Sequence, residues 1–383
     1  MSSVIPTTPR SKAVRILAAI AIAIVGVFVI AFATHPAEKD FISYWSAGKL
    51  LLQHADPYSY NAVFALEQSQ GYSELRPLIM RNPPWALFLV APLGFGSPLT
   101  GFLLWTIVSL ACILAFLRLL HVPADDALLA FLFAPALATL CAGQSSPFLL
   151  LGFVLFLYLH QRHPFAAGCS LLLLAIKPHL FFIFWVILLL DCIHRRSMKI
   201  LAGLAVALAC ATGFTLLFDP QIWPHYFSML QHAAIQNEFL PTLSELFRLG
   251  VNVNSSWLVF VPTLIALAWA VRYFIKKRDH WDWDRDSMLL MLVALLTSPY
   301  CWVSDQTVLL PVIAYALMLT PRRRFSVEIL LVLNCSVLFI VLVLRSPLTS
   351  IGYIWTPAAW LFWFLYATWP ATWSPRPTTA LAA

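Results

Sequence analysis

Asp40 lies in the stretch Glu38-Lys39-Asp40-Phe41-Ile42-Ser43-Tyr44-Trp45-Ser46-Ala47-Gly48, the first polar segment after an apolar run from Val14 to Thr34. A carboxylate there stands where hydrocarbon ends and water begins. Partial desolvation raises its pKa usefully for a general base that takes the proton of an attacking hydroxyl. Glu38, two residues earlier, is a rival for that role, and a solvated cap on a helix starting near Ser43 is the structural alternative. Lys177 interrupts the apolar stretch from Phe165 to Leu190 within Ala175-Ile176-Lys177-Pro178-His179. An ionisable group embedded in apolar sequence is a functional candidate. An ammonium with His179 beside it suits a phosphate; otherwise Lys177 is a snorkelling anchor for a hairpin tip. Asp305 opens a later apolar run, where it caps the helix, accepts sugar hydroxyls or orients a basic group. Gln144 lies in the polar turn Gly143-Gln144-Ser145-Ser146-Pro147, which also reads as a plain helix-breaking connector.

Other polar groups fit chemistry less well. His225, His232, Gln236, Asn237 and Glu238 decorate one loop without metal-ligand spacing, and no H-E-x-x-H motif is present. Glu245 and Arg248, three apart, read as a helix-surface pair. Asp282-Trp283-Asp284-Arg285-Asp286 contains two D-x-D patterns, yet it abuts Lys276-Lys277-Arg278 and reads as a solvated charged loop. The seven cysteines are scattered through apolar runs with no CxxC or Cys/His cluster. No metal site and no cofactor is expected.

The elements that must carry these residues follow from composition. Of 383 residues, 61% are hydrophobic and 11% charged, and mean hydropathy is +0.82, which excludes an ordinary soluble domain. The pattern predicts an all-α polytopic membrane protein. Apolar runs near 14–34, 98–120, 125–142, 146–160, 164–176, 178–193, 199–217, 256–275, 286–299, 305–320, 325–344 and 354–369 are the candidate spans. Several are shorter than the roughly 20 residues needed to cross hydrocarbon unaided. The first run is too long for a signal-peptide core and ends without a small-x-small site, so it is read as an uncleaved span.

The net charge of +7 comes from short basic clusters between apolar runs, an orientation signal rather than a nucleic-acid footprint. With the N-terminus inside, Arg10, Lys12, Arg195, Arg196, Lys276-Lys277-Arg278 and Arg322-Arg323-Arg324 fall inside. Lys39, Lys49, Arg76, Arg81, Lys177, Arg248 and Arg345 fall outside. Both termini are then cytoplasmic and Asp40 faces out. Two larger extracytoplasmic loops, about 35–97 and 219–255, punctuate a single integral domain over 14–369. Cytoplasmic tails occupy 1–13 and 370–383, the latter disordered by composition. Ala86 to Phe95 is too short to cross and reads as re-entrant or interfacial.

Asp40 with Tyr44 and Ala47-Gly48, then Asp56-Pro57-Tyr58, resembles the D-x(3)-Y-x(2)-A-G and D-P-Y elements of family 87 glycosyltransferases, membrane enzymes of GT-C type. Asn82-Pro83-Pro84 before Ala91-Pro92-Leu93, Gly143-Gln144, Ile176-Lys177-Pro178, and Ser298-Pro299 with Asp305 are similar to its later landmarks in the same order. The family often has His after the late Ser-Pro where this chain has Tyr300, and a glycine before Asp-Pro-Tyr where it has His54-Ala55; no histidine role is carried over.

The resemblance implies a GT-C-like bundle of about 10–12 transmembrane helices and a polyprenyl-phosphate sugar donor, usually mannose. It also implies a lipid or glycan acceptor at the outer face of the cell (inner) membrane. Asp40 is then the base of an inverting transfer, and Lys177 with His179 holds the donor phosphate. Gln144, Asp305, Tyr44, Asp56 and Tyr58 bind sugar or acceptor. The partners expected are these two substrates and membrane lipids, with no nucleic acid. A transporter or flippase of a lipid-linked sugar and a noncatalytic envelope-assembly protein are the competing readings.

Overall fold

The computed structural model describes residues 40–232, 240–319, 324–344 and 351–369. Val14 to Thr34, Glu38, Gln236, Asn237, Glu238, Arg322, Arg323, Arg345 and both tails lie outside these residues. Every regular element among the described residues is helical. In chain order the α-helices are α1 (Phe41–Leu52), α2 (Tyr60–Ser69), α3 (Leu87–Val90), α4 (Pro98–Leu119), α5 (Ala124–Phe131), α6 (Ala134–Ala142), α7 (Ser146–Leu159), α8 (Pro164–Leu174) and α9 (Phe182–His194). There follow α10 (Lys199–Phe218), α11 (Ile222–His232), α12 (Leu243–Val251), α13 (Phe260–Lys277), α14 (Trp283–Thr297), α15 (Leu310–Met318), α16 (Ser326–Leu342) and α17 (Thr356–Thr368). Short 3-10 turns at Pro84–Ala86, Ala91–Phe95, Pro178–Phe181 and Val303–Leu309 complete the segments used below.

These boundaries have local causes. Proline sits in the first turn of α4, α6, α7, α8, α15 and α17, where its missing N–H costs nothing and its φ is already helical. Ser97 and Ser59 accept hydrogen bonds from backbone N–H groups at the starts of α4 and α2. The preceding helices end before these prolines, and the apolar sequence is cut into short rods. Each expected span from 98 onward appears as a helix or helical pair with nearly the expected bounds. Pro98–Leu119, Lys199–Phe218 and Ser256–His280 are long and apolar enough to cross a membrane alone, and α5 with α6, bent by 58°, forms a fourth candidate. The chain is a multi-pass helical membrane protein. The shorter helices serve because neighbours bury their ends.

Burial separates two kinds of helix. On α4, Leu103, Leu104, Ile107 and Leu114 are exposed, as are Leu264 and Ile265 on α13 and Leu217 on α10; these are the apolar faces a hydrocarbon solvent would cover. By contrast α7, α14, α15 and the turn Val303–Leu309 are mostly buried, and α6 and α7 pack on that turn. Asp305 lies in that turn and Gln144 just past the end of α6, and Asp40 and Lys177 reach them from outside this group.

α1 departs from its expected character. By sequence, Ser43 to Gln53 is a polar, amphipathic-looking stretch, yet every residue of α1 except Lys49 and Leu52 is buried. The cause is close backbone approach: a Cβ at Gly48 would collide with the carbonyl oxygen of Val90, and one at Gly94 with Gly48 itself. The apolar piece 84–95 therefore folds as short helical turns against α1 and α10.

Candidate active site

Asp40 immediately precedes α1, and its side chain makes no capping bond to that helix. Its Oδ2 instead accepts from Gln144 Nε2 at 2.6 Å, so the plain cap reading does not describe it. Gln144 reaches back because Gly143, in the left-handed region at φ 69°, ends α6 and turns the chain. A Cβ at Gly143 would also strike Phe41. The Gly143 carbonyl, left over at that helix end, accepts from Trp105 Nε1 at 2.9 Å. Tyr44 stacks on the same Trp105, with ring centroids 5.3 Å apart.

Gln144 Oε1 completes a chain of polar contacts. It accepts from Tyr44 Oη at 3.0 Å and from Lys177 Nζ at 3.3 Å. Lys177 Nζ then donates to Asp305 Oδ1 at 2.7 Å. Four residues spread from position 40 to position 305 thus form one line: carboxylate, amide, ammonium, carboxylate. Around Lys177 the chain runs through α8, a turn at 175–177, the 3-10 turn and α9 in succession. The turn at 175–177 is clamped by Asn82 Nδ2 on Ile176 O at 3.0 Å and by Trp85 Nε1 on Ala175 O at 2.9 Å. These side chains satisfy carbonyls that the end of α8 leaves over, giving Asn82-Pro83-Pro84-Trp85 a structural role.

The electrostatics follow from burial. The Lys177 side chain is 8% exposed and that of Asp305 is wholly buried. Burial works against the Lys177 charge, but the adjacent Asp305 carboxylate outweighs it and holds the ammonium pKa above its ordinary value. Burial also raises the Tyr44 phenol, with Lys177 opposing, so Tyr44 is a neutral donor to Gln144. Asp305 is engaged within the chain at both oxygens. Oδ1 accepts from Lys177 and from Ser146 Oγ at 3.0 Å, and Oδ2 accepts from the Trp302 N–H at 3.0 Å. Capping and orienting a basic group are therefore both realised.

The remaining expected residues fall around this line. His179 lies two residues past Lys177, edge-on to Tyr300 at 5.4 Å between centroids, and its buried Nε2 finds no partner among the described residues. Tyr300 Oη accepts from Trp302 Nε1 at 2.7 Å, and Arg81 approaches it at 3.5 Å. Tyr58 is buried and donates to Asn82 O at 2.8 Å, which places it behind the clamp on the Lys177 turn. Asp56 stands apart, beside His225 and Asp219. Ser146 was not among the expected site residues; its only signal is adjacency to Gly143-Gln144.

Three other expectations change. Glu245 and Arg248 are not a surface pair: their side chains are 3% and 6% exposed. The D-x-D segment is not simply a solvated loop. Asp282 caps α14, and the buried Asp286 accepts from Lys277, Arg285 and Tyr273. This cluster opens α14, whereas Tyr300 and Trp302 follow its end, so it lies at the other end of the bundle from Lys177. His225 joins two carboxylates despite lacking motif spacing.

Fold and site together define a multi-pass helical membrane protein in which a half-buried carboxylate, a buried amide and a buried ammonium are joined in one line. The chain belongs to glycosyltransferase family 87, whose model matches residues 81–299, more than half its length, and it is accordingly a glycosyltransferase. Neither a curated protein nor a solved structure matches it. Gln144, Lys177 and His179 lie inside the matched segment; Asp40, Tyr44, Asp56, Tyr58 and Asp305 lie outside it.

Proposed function

We propose that this glycosyltransferase moves a sugar, mannose first, from a polyprenyl-phosphate carrier to a hydroxyl of a lipid or glycan acceptor, with inversion. The observation that carries the reading is the joining of Asp40 to Lys177 through the single side chain of Gln144. Asp40 takes the proton as the acceptor oxygen attacks the anomeric carbon. The bond from that carbon to the phosphate oxygen breaks, and its electron pair leaves with the phosphate. Charge developing on the leaving group is what a fixed cation stabilises. Gln144 and Asp305 use two of the three N–H bonds of Lys177; the third serves a phosphate oxygen, with His179 Nε2 beside it. Tyr44 holds Gln144, Asp305 orients Lys177, and Tyr58 with Asp56 supports the turn from behind.

The same reading puts the site at the outer face of the cytoplasmic membrane and both termini inside, on the distribution of Lys and Arg. It treats 14–369 as one integral domain. The test uses purified protein in lipid, radiolabelled polyprenyl-phosphate mannose and a lipid extract of the host. A labelled glycoconjugate formed by wild type but not by Asp40→Asn, at equal protein level and thermal midpoint, supports both reaction class and base. Equal product from Asp40→Asn removes Asp40 from the chemistry, and failure of wild type to consume this donor removes mannose.

A further inference from the structure

Away from the Asp40 line, three ligand-type side chains meet from three parts of the chain. Asp56 follows α1, Asp219 ends α10 and His225 lies on α11. Their donor atoms all lie within 4.8 Å of one another. His225 Nδ1 is 2.7 Å from Asp219 Oδ2 and 3.6 Å from Asp56 Oδ1. Among the described residues no Lys or Arg pairs with either carboxylate, so up to two negative charges face one imidazole. Like charges this close oppose one another unless a proton or a cation lies between them.

We propose that Asp56, Asp219 and His225 bind a divalent first-row cation, Zn2+ or Mn2+. Two carboxylate oxygens and one imidazole nitrogen suit these ions better than Ca2+ or Mg2+, which take oxygen ligands. Ligands at about 2.1 Å from a tetrahedral metal stand about 3.4 Å from each other, between the 2.7 Å and 3.6 Å spacings found here. The site is half-open: the side chains of Asp56 and His225 are 29% and 30% exposed and that of Asp219 is 8% exposed, leaving room for water in the remaining positions.

The location gives the cation a structural task. His54 Nδ1 already contacts Phe218 O at 2.8 Å, joining the same two segments. A metal would fasten Asp56-Pro57-Tyr58 to the junction of α10 and α11. Tyr58 holds Asn82, and Asn82 holds the carbonyl next to Lys177. The cation therefore braces the active-site turn from outside it. This inference is independent of which sugar is transferred.

The test uses the full chain in detergent micelles, stripped with chelator and then titrated separately with Zn2+ and Mn2+. Bound metal is counted by mass spectrometry, and the thermal midpoint is followed. The expected result is about one equivalent bound and a raised midpoint in wild type. Asp219→Asn and His225→Gln should each weaken binding by more than about tenfold and abolish the midpoint response. Wild type that retains neither metal after dialysis, with an unmoved midpoint, overturns the site. So does a folded variant that binds like wild type, and if one variant fails to fold, the other and the wild-type titration decide.

Discussion

The two ends of the bundle each bury a carboxylate against cations, and they do it differently. At one end Asp286 meets Lys277 and Arg285, nine residues and one residue away, and both cations remain about one-third exposed. Asp286 also accepts the Asp282 N–H at 3.1 Å, so the cluster ties α13 to the start of α14. It needs only local chain. At the other end Lys177 and Asp305 are 128 residues apart and both buried, and the pair continues through Gln144 to a half-buried Asp40. A buried pair of this kind is weak support for a fold, because desolvation offsets its attraction. What distinguishes it among the described residues is an ammonium N–H and a buried imidazole nitrogen without partners, in line with a carboxylate that makes no capping bond. The difference separates a staple from a site.

Removing one charge at each end tests the comparison most severely. Lys177→Met leaves Asp305 buried and uncompensated, a loss of about 3–5 kcal/mol, and activity should fall below detection. Asp305→Leu added to Lys177→Met should recover much of the thermal midpoint and none of the activity. Recovery of both would show that the pair is only structural. A smaller effect is expected of Gln144→Leu, which removes no charge. Loss of the bridge should lower kcat on the order of 100-fold with a lesser change in the donor KM, because base and cation lose their common brace. A kcat within about twofold of wild type would mean that Asp40 and Lys177 do not act as a unit.

Much of the site is legible in the sequence for one reason: Asp40, Lys177 and Asp305 are ionisable groups at the edges of apolar runs, where their cost needs a return. Gln144 is legible only as a polar turn, since nothing local says which way an amide points. The helices are legible from apolar runs cut by proline, and the family landmarks order them. What is hidden depends on packing between distant segments. Gly48 against Val90 buries α1, which its own pattern leaves amphipathic. The burial of Asp286 and of Glu245 with Arg248 likewise depends on neighbours that periodicity cannot name.

Glu67 is hidden in the same way and gives the next effect in size. On α2 it is fully buried, with Oε2 accepting from the Leu78 N–H at 3.0 Å and Oε1 unpartnered among the described residues. Burial raises its pKa from the ordinary 4.5 to about 7, with the Leu78 N–H opposing. Because the folded value is the higher one, its stabilising contribution is complete below 4.5 and is lost as pH rises through about 7. The slope is at most about 1.4 kcal/mol per pH unit. The thermal midpoint should fall between pH 5 and pH 8, and Glu67→Gln should flatten that fall. A wild-type midpoint that is level across the range would refute the assignment.

Lys277→Met should have the smallest effect, and for that reason it sharpens the comparison. Asp286 keeps Arg285, whose Nη2 stands 2.8 Å from Oδ2 and whose Nε stands 3.2 Å from Oδ1, and it keeps the Tyr273 hydroxyl at 2.9 Å. The carboxylate is never left bare, so the cost is that of a partly exposed pair, about 1 kcal/mol or less. Transfer activity should stay within about twofold, since nothing in the cluster touches the Asp40 line. The same truncation of a lysine beside a buried aspartate should thus be tolerated at one end and fatal at the other. The cause is not depth alone but redundancy: two cations share Asp286 through local chain, while among the described residues Lys177 is the one cation on Asp305 and alone joins it to Gln144. A tenfold loss of activity in a stable Lys277→Met protein would break that argument, because the local staple would then be acting on the distant site through α14.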